Sequence, residues 1–148
     1  PSDRARSQHP NHLCVLALRL AVGFPAVAPV AARGALGCVL RYLVGSWLTR
    51  EDFAWGTIAV NLLGSFLIGL VLFAGLAQGW LGPDARVFIV TGILGGFTTM
   101  SSFAYETVSY VDDGEIARAL GYASLTIIGR PAMAFPGAAA APALPAAR

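Results

Sequence analysis

The feature that most restricts the fold of this chain is a long segment without charge. Phe53 to Leu76 is 24 residues long and contains no charged side chain. A helix of about 20 apolar residues is sufficient to cross the hydrocarbon core of a bilayer, which is about 30 Å thick. The segment therefore predicts a transmembrane helix, and the chain is expected to be a membrane protein.

The composition agrees with a membrane protein of one domain. The chain has 148 residues, of which 56% are hydrophobic and 12% are charged, whereas about 25% are charged in an average soluble protein. It contains no lysine, its net charge is +2, and no basic stripe with interleaved aromatic residues is visible. Cys14 and Cys38 make neither a disulfide framework nor a cluster of metal ligands. These features argue against a soluble enzyme and against a nucleic-acid partner.

Two further segments have the character of membrane spans. Val87 to Tyr105 is a charge-free stretch of 19 residues, and it continues through Glu106 to Val111. The connection before it contains Trp80 and Pro83, which suits a short loop with an aromatic residue at the membrane interface. Upstream, the segment VLRYLVGSWL around Arg41 has the character of the end of an earlier span.

A fourth span is predicted to be incomplete. The apolar run Ala119 to Gly129 has 11 residues, only about 16 Å of helix, and Arg130 and Pro131 follow it. We divide the chain into an atypical N-terminal segment that includes the start of the first helix (1–33), a transmembrane domain (34–129) and an Ala/Pro-rich tail expected to be disordered (130–148). A secretory signal is the alternative for the first segment, although Arg19 interrupts its apolar region.

The arginines of the transmembrane domain give little information on orientation. Arg41, Arg50 and Arg118 are expected on one side of the membrane and Arg86 on the other. This bias is too small to fix the topology, so the chain is compatible with insertion in both directions.

Asn61 is the most informative polar residue of the second span. It lies nine residues into the charge-free segment, and Thr57 and Ser65 lie one turn away on either side, so all three share one helix face. One interpretation is that Asn61 hydrogen-bonds to another helix, as asparagine, serine and threonine often do in membranes. The other is that it faces a water-filled pathway, since a polar group is costly in lipid.

The segment from Thr91 to Phe103, TGILGGFTTMSSF, predicts a break in the third span. Three glycines and five hydroxyl side chains give a regular helix low propensity at this point. A break in lipid leaves backbone carbonyls that protein, water or an ion must satisfy, and such carbonyls are natural cation ligands. The alternative is a continuous glycine-rich helix that packs closely against its neighbours.

Three segments, GALGCVLRY (Gly34 to Tyr42), GTIAVNLLGSFLIG (Gly56 to Gly69) and GILGGFTTMSSFAYE (Gly92 to Glu106), resemble in order and spacing the signatures of the Fluc, or CrcB-type, fluoride channel family. The resemblance implies an all-α membrane protein of four transmembrane helices with a broken third helix. It further implies an antiparallel, dual-topology homodimer with two passive fluoride pores. Such a protein is a multi-pass component of the cell inner membrane or plasma membrane, and its partners are fluoride, the lipid bilayer and a second copy of itself.

The resemblance also assigns roles to individual residues. The pore asparagine of the family falls on Asn61, and an arginine near the end of the first helix falls on Arg41. A structural sodium ion (Na+) at the dimer centre would be held by the backbone carbonyls of Gly95 and Thr98 from both subunits. The paired pore phenylalanines fall on Met100 and Phe103, so methionine replaces one of them. Thr99 and Ser102 are implied as polar residues of the same pathway, and a polar track on the fourth helix would use Ser124, with Thr126 as a second and weaker match. Ser101 is hydroxyl-bearing as the family pattern expects, and Glu106 stands where family members commonly carry an acid.

Two other functions and one other origin remain as alternatives. A small dual-topology multidrug exporter would need a membrane-embedded carboxylate for proton coupling, and Glu106 is the only candidate. A non-conducting membrane assembly subunit would need Asn61 for folding rather than for ion flux. Arg33 inside the first span and the sequence after Gly129 are also compatible with reading-frame errors or a gene remnant, or with a fourth helix that ends early.

Overall fold

The computed structural model describes residues 12–50, 52–79 and 81–143, and all the regular structure in these residues is helical. The first two helices are long: α1 runs from His12 to Leu48 and α2 from Trp55 to Gln78. A short link that includes an isolated bridge between Arg50 and Phe53 connects them. Residues 1–11 of the predicted N-terminal segment lie outside the described residues, and so does Trp80 of the predicted loop.

Three helical segments of the described residues are long and apolar enough to cross a membrane. They are Val27–Leu48, Trp55–Ala74 and Asp84–Asp112. The second and third coincide with the two charge-free stretches, and the first contains the predicted segment around Arg41, so the multi-span character of the chain is confirmed. The second span is the most apolar of the three.

The third span is broken, as the sequence predicts. It begins with α3 (Pro83–Val87), continues through a π-helical segment (Phe88–Leu94) and ends its first half with α4 (Gly95–Phe97). Thr98 has extended backbone torsions, and α5 (Ser101–Asp112) begins three residues later. Residues 98–100 therefore form a non-helical link inside the span.

Close backbone packing joins the first half of the third span to α1. Gly37 is buried on α1, and a Cβ atom at this position would lie 2.1 Å from the carbonyl oxygen of Ile93. Only glycine permits such an approach, because a Cβ atom at that distance would overlap the oxygen. The glycines of the first and third segments therefore bring α1 directly against the backbone that precedes the break.

The last helix is longer than the sequence predicts. α6 runs from Ile116 to Ala140 and includes Pro131 and Pro136, and a short 3-10 turn follows at Ala141–Ala143. The expected end at Gly129 is therefore wrong, and residues 130–143, expected to be disordered, are helical. Residues 144–148 of the predicted tail lie outside the described residues.

Packing against α2 explains why α6 continues. Gly137 is buried, and a Cβ atom there would lie 2.1 Å from the carbonyl oxygen of Phe66, so the two backbones are in direct contact. Each proline removes a helical N–H donor and its ring clashes with the carbonyl four residues earlier, so the high helix propensity of alanine and this tertiary contact must together outweigh both prolines. At 25 residues α6 is about 37 Å long, but it is not among the three described helices that are both long and apolar enough to cross a membrane.

A cluster of aromatic side chains fills one end of the helix bundle. Its buried members are Ala54, Ile58, Phe103 and Tyr122. The ring of Phe53 packs against those of Tyr110 and Tyr122, with centroids 5.8 and 5.7 Å apart. This cluster fixes α5 and α6 against the start of α2, immediately beside the break in the third span.

Candidate functional site

Asn61 binds the backbone of the broken helix. Its side chain is fully buried, its Nδ2 donates to the carbonyl oxygen of Thr99 at 2.9 Å, and its Oδ1 accepts from the Thr99 N–H at 2.9 Å. A break in lipid needs partners for its exposed amides and carbonyls, and one side chain supplies two of them here. Thr57 and Ser65 are also buried, so the predicted polar face of α2 does point into the protein.

The side chain of Thr99 caps the helix that follows the break. Its Oγ1 accepts from the Ser102 N–H at 3.2 Å and donates to Ser102 Oγ at 3.1 Å. The Oγ atom of Ser101 lies 3.2 Å from the same oxygen. The three predicted hydroxyl groups thus form one cluster at the start of α5, where side-chain oxygens satisfy free N–H groups.

The two carbonyls predicted to hold sodium lie just before the break. The Thr99 N–H donates to Asn61, so the Gly95 carbonyl lacks its usual helical donor. The Thr98 carbonyl oxygen accepts from Nη1 of Arg41 at 3.3 Å. Carbonyl oxygens of an unwound helix are suitable ligands for a hard monovalent cation, and the Thr98 oxygen keeps a second lone pair. The Gly95 carbonyl is therefore available as a cation ligand, whereas the Arg41 guanidinium competes for the Thr98 carbonyl and would repel a cation beside it.

A cleft of about 430 Å³ lies between α1, α2 and the break, and we call it the α1–α2 cleft. It brings together three of the predicted pathway residues, Arg41, Thr99 and Ser102. Thr57 also lines it, at the end nearer the aromatic cluster. Residues far apart in sequence therefore meet at one side of the break.

A second cleft, of about 290 Å³, lies on the other side of the break, and we call it the α6 cleft. Met100, Phe103 and Thr126 line it, together with Ile127, Arg130 and Pro131. The structure therefore brings the predicted Met100 and Phe103 together with Thr126. Ser124 is exposed and lines neither cleft, because it lies two residues from Thr126 and so on a different face of α6.

Phe103 is held in position by the aromatic cluster. Its ring is buried and stacks on the ring of Tyr122, with centroids 5.4 Å apart and an interplanar angle of 26°. The face of the ring is therefore occupied, while Phe103 also borders the α6 cleft. Met100, by contrast, is 58% exposed.

Glu106 has partners that the sequence interpretation missed. Its Oε1 accepts from the Thr57 hydroxyl at 2.8 Å, and its Oε2 accepts from the Tyr122 hydroxyl. A carboxylate inside a span requires hydrogen-bond donors. The sequence therefore indicated that Glu106 would have such partners, but it could not identify them. The Tyr110 hydroxyl accepts from the Ala54 N–H at 2.9 Å, so a second tyrosine anchors the start of α2.

Charge and hydrogen-bonding capacity around the break favour a negative ligand. Among the described residues that line the α1–α2 and α6 clefts, none is acidic, and each cleft contains one arginine. Hydroxyl and guanidinium groups are hydrogen-bond donors, whereas Asn61 is fully buried and is not among the residues that line either cleft. The surroundings of the break can therefore replace the water around a small anion.

Known proteins match the same part of the chain. Residues 28–138 match the family described as CrcB-like protein, Camphor Resistance (CrcB). A Thermus thermophilus protein described as a fluoride-specific ion channel, FluC, is 50% identical over 97 residues, which cover 64% of this chain and 76% of that protein. A Bordetella petrii protein of the same description is 46% identical over 115 residues, which cover 78% of this chain and 90% of that protein. The family match extends past Gly129, in agreement with the length of α6.

Proposed function

Since the chain belongs to the CrcB-like family, we propose that it is a passive, fluoride-selective channel that lets fluoride leave the cell and so lowers its cytoplasmic concentration. The observation that carries this proposal is the 46–50% identity to proteins described as fluoride-specific ion channels, over the spans that contain Asn61 and the broken helix. These relatives do not favour the multidrug exporter. The chain is accordingly a multi-pass membrane protein.

The donors around the break supply what fluoride needs. Fluoride is small and strongly hydrated, so a selective pathway must replace its water with several hydrogen-bond donors without binding it too tightly. The Asn61 amide has two N–H groups, of which one binds Thr99, and the second is the donor we assign to fluoride. Ser102 adds a hydroxyl donor, which the Thr99 hydroxyl holds in place by donating to Ser102 Oγ, and the edge of the Phe103 ring is the positive part of its quadrupole.

We propose that two chains form the working unit, in opposite orientations. α1 exposes a large apolar surface, with Tyr42 and Trp47 73% and 90% exposed, and a membrane helix presents such a surface to lipid or to a second subunit. The small arginine bias between the two sides of the membrane allows both orientations. The dimer would then contain two fluoride pathways, each with its own Asn61.

A sodium ion at the dimer centre is part of the same proposal. The Gly95 carbonyl, which lacks its helical donor, and the Thr98 carbonyl of each subunit would hold the ion. The ion would supply positive charge near the fluoride pathways and satisfy carbonyls that the break leaves free.

A proteoliposome assay tests the conduction. Vesicles loaded with sodium fluoride and containing the purified chain are expected to release fluoride, measured with a fluoride electrode, faster than empty vesicles. Release should occur without a pH gradient, because a passive channel does not couple to protons, and vesicles loaded with chloride should release it much more slowly. Release no faster than that from empty vesicles would refute the proposed function, and release only with a pH gradient would favour an exporter.

Labelling of one engineered cysteine tests the dual topology. Asp113 lies in the exposed turn between α5 and α6, so Asp113→Cys is made in a chain without Cys14 and Cys38. In sealed vesicles, a membrane-impermeant thiol reagent is expected to label about half of the chains from outside, and all of them after detergent is added. Labelling of nearly all or nearly none from outside would show a single orientation.

A further inference from the structure

Arg130 is a positive charge on α6 that has no carboxylate partner among the described residues. It lies in α6, is half-buried, and its Nη1 donates to the Met100 sulfur at 3.7 Å. A thioether is a weak acceptor and carries no charge. Within the part of the chain that the structure describes, the one salt bridge joins Arg118 to Glu115, so no carboxylate there neutralises Arg130. A guanidinium that is partly removed from water without a countercharge is costly, which calls for an anion near it.

Thr126 supplies a second unsatisfied donor in the same cleft. It lies one turn before Arg130 on α6, so the two side chains share a helix face. Its side chain is 1% exposed, and its Oγ1 has no hydrogen-bond partner among the described residues. A buried hydroxyl without a partner costs about 1–3 kcal/mol, so a bound ligand that accepts from it would be stabilised. Both side chains line the α6 cleft.

The chemistry of the α6 cleft selects the kind of anion. Its other lining residues are Met100, Phe103, Ile127 and Pro131, which are apolar, and Arg130 is its one charged residue. A single guanidinium balances a single negative charge, and a divalent anion would be left with unpaired charge in an apolar surrounding. The cleft volume of about 290 Å³ is well above the roughly 30 Å³ of one water molecule, so a halide can enter with part of its hydration.

We propose that Arg130 and Thr126 form a halide-binding site in the α6 cleft, with Arg130 as the charge that retains the ion. The site rests on the proposed function, because Thr126 belongs to the predicted polar track of the fluoride pathway and the cleft adjoins Met100 and Phe103; the role of Arg130 is the new element. A fixed charge holds an anion more strongly than neutral donors do, and conduction requires that the ion also leave. Arg130 therefore slows fluoride release and admits chloride to the same site, because a guanidinium attracts any small monovalent anion.

Thermal unfolding of the full chain in detergent tests the site without any requirement for conduction. The sodium salts of fluoride, chloride and gluconate are compared at one ionic strength, with gluconate as a polyhydroxylated anion whose hydroxyl groups would lose water without gaining partners in the apolar lining of the cleft. Fluoride and chloride are expected to raise the melting temperature relative to gluconate, because they bind the folded state. Arg130→Gln should weaken the apparent halide affinity by about tenfold or more, since hydrogen bonds to charged groups are the strong ones. Arg118→Gln, an exposed arginine on the same helix, is the matched control and should keep the halide effect.

Thr126→Val provides a second test that does not alter the charge. It removes the unpartnered hydroxyl at nearly constant volume, so the melting temperature in gluconate should not fall, while the rise in halide should shrink. An unmodified chain that responds equally to all three salts would overturn the site, as would Arg130→Gln with an unchanged halide response. If Arg130→Gln does not fold, Thr126→Val with a full halide response overturns it.

Efflux measurements separate this site from the proposed function. A halide response that depends on Arg130, in a chain that releases no fluoride from vesicles, would keep the site and refute the channel. Fluoride release with a halide response that does not depend on Arg130 would keep the channel and refute the site. Faster fluoride release by Arg130→Gln than by the unmodified chain is the result expected if both are correct.

Discussion

The amide of Asn61 is paired with both backbone groups of Thr99, as donor to its carbonyl and as acceptor from its N–H, each at 2.9 Å. Thr99 lies in the non-helical link of the third span, so this pair of bonds replaces helical bonds that the break removes. The interhelical and pathway interpretations of Asn61 are therefore compatible. One N–H of the amide stabilises the break, and the other is the donor that we propose for fluoride.

Substitution of Asn61 should affect both the fold and the flux. Asn61→Ala leaves the Thr99 N–H and carbonyl without partners and is expected to lower the free energy of unfolding by about 1–3 kcal/mol per group. Asn61→Asp keeps the acceptor for the Thr99 N–H but adds a negative charge, so we expect fluoride efflux to fall more than dimer yield. Thermal unfolding and the efflux assay measure the two effects. Equal loss of yield and of flux in Asn61→Asp would favour a purely structural role.

The hydrogen bonds to Glu106 should stabilise the contact between α2, α5 and α6. Thr57→Val and Tyr122→Phe each remove one donor to the carboxylate, and each is expected to cost about 1–3 kcal/mol. Because both donors bind one carboxylate, the double variant should deviate from the sum of the two single losses. A double-mutant cycle from chemical or thermal unfolding measures the deviation. Strict additivity would show that the two bonds act independently.

The spans and the break were predictable because their causes are local. A charge-free run long enough to cross a bilayer satisfies its backbone hydrogen bonds by forming a helix. α2 begins and ends two residues later than the predicted segment. Glycines and hydroxyl residues lower helix propensity at the site of the break itself. The end of the fourth helix was not predictable in this way. Its continuation depends on contact between Gly137 and the backbone of α2, which local propensity does not encode.

The candidate site was predictable only in part. The sequence places Asn61 on a polar helix face, and the resemblance adds Met100 and Phe103, but neither shows which atoms meet. The two bonds from Asn61 to Thr99 depend on how α2 packs against the link, and the bond from Tyr122 to Glu106 depends on the aromatic cluster. Arg130 was interpreted as the end of a helix, whereas the fold brings it into a cleft beside Met100.

The close packing of α1 against the third span should be disrupted by any side chain at position 37. Gly37→Ala would place a Cβ atom 2.1 Å from the Ile93 carbonyl oxygen, so the two helices must separate and the break would lose its support. Gly45→Ala is a matched control on the same helix, because a Cβ there has nothing within 4 Å among the described residues. We expect a clear fall in melting temperature for Gly37→Ala and little change for Gly45→Ala. Similar melting temperatures for both variants would contradict the close packing.

The residues after Gly129 should be necessary for folding up to the end of α6. A chain that ends at Gly129 exposes the face of α2 that Gly137 covers, and it should give little folded protein in detergent. A chain that ends at Ala143 keeps the whole of α6 and the turn after it and should behave like the full chain. Size-exclusion chromatography and thermal unfolding compare the two. A well-folded chain ending at Gly129 would show that the contact with Phe66 is dispensable.

The substitution of Met100 by phenylalanine should increase the rate of fluoride conduction. Met100 is 58% exposed and borders the α6 cleft opposite Phe103, so an aromatic ring can be accommodated with little strain. The ring edge is positive and can face an anion, whereas a thioether offers no such edge. Met100→Phe should therefore raise fluoride efflux while the melting temperature changes little. Met100→Leu, which removes the sulfur without adding a ring, is the matched control and should not raise efflux. Because the sulfur also accepts from Arg130, equal increases in both variants would assign the effect to release of that arginine rather than to the aromatic edge.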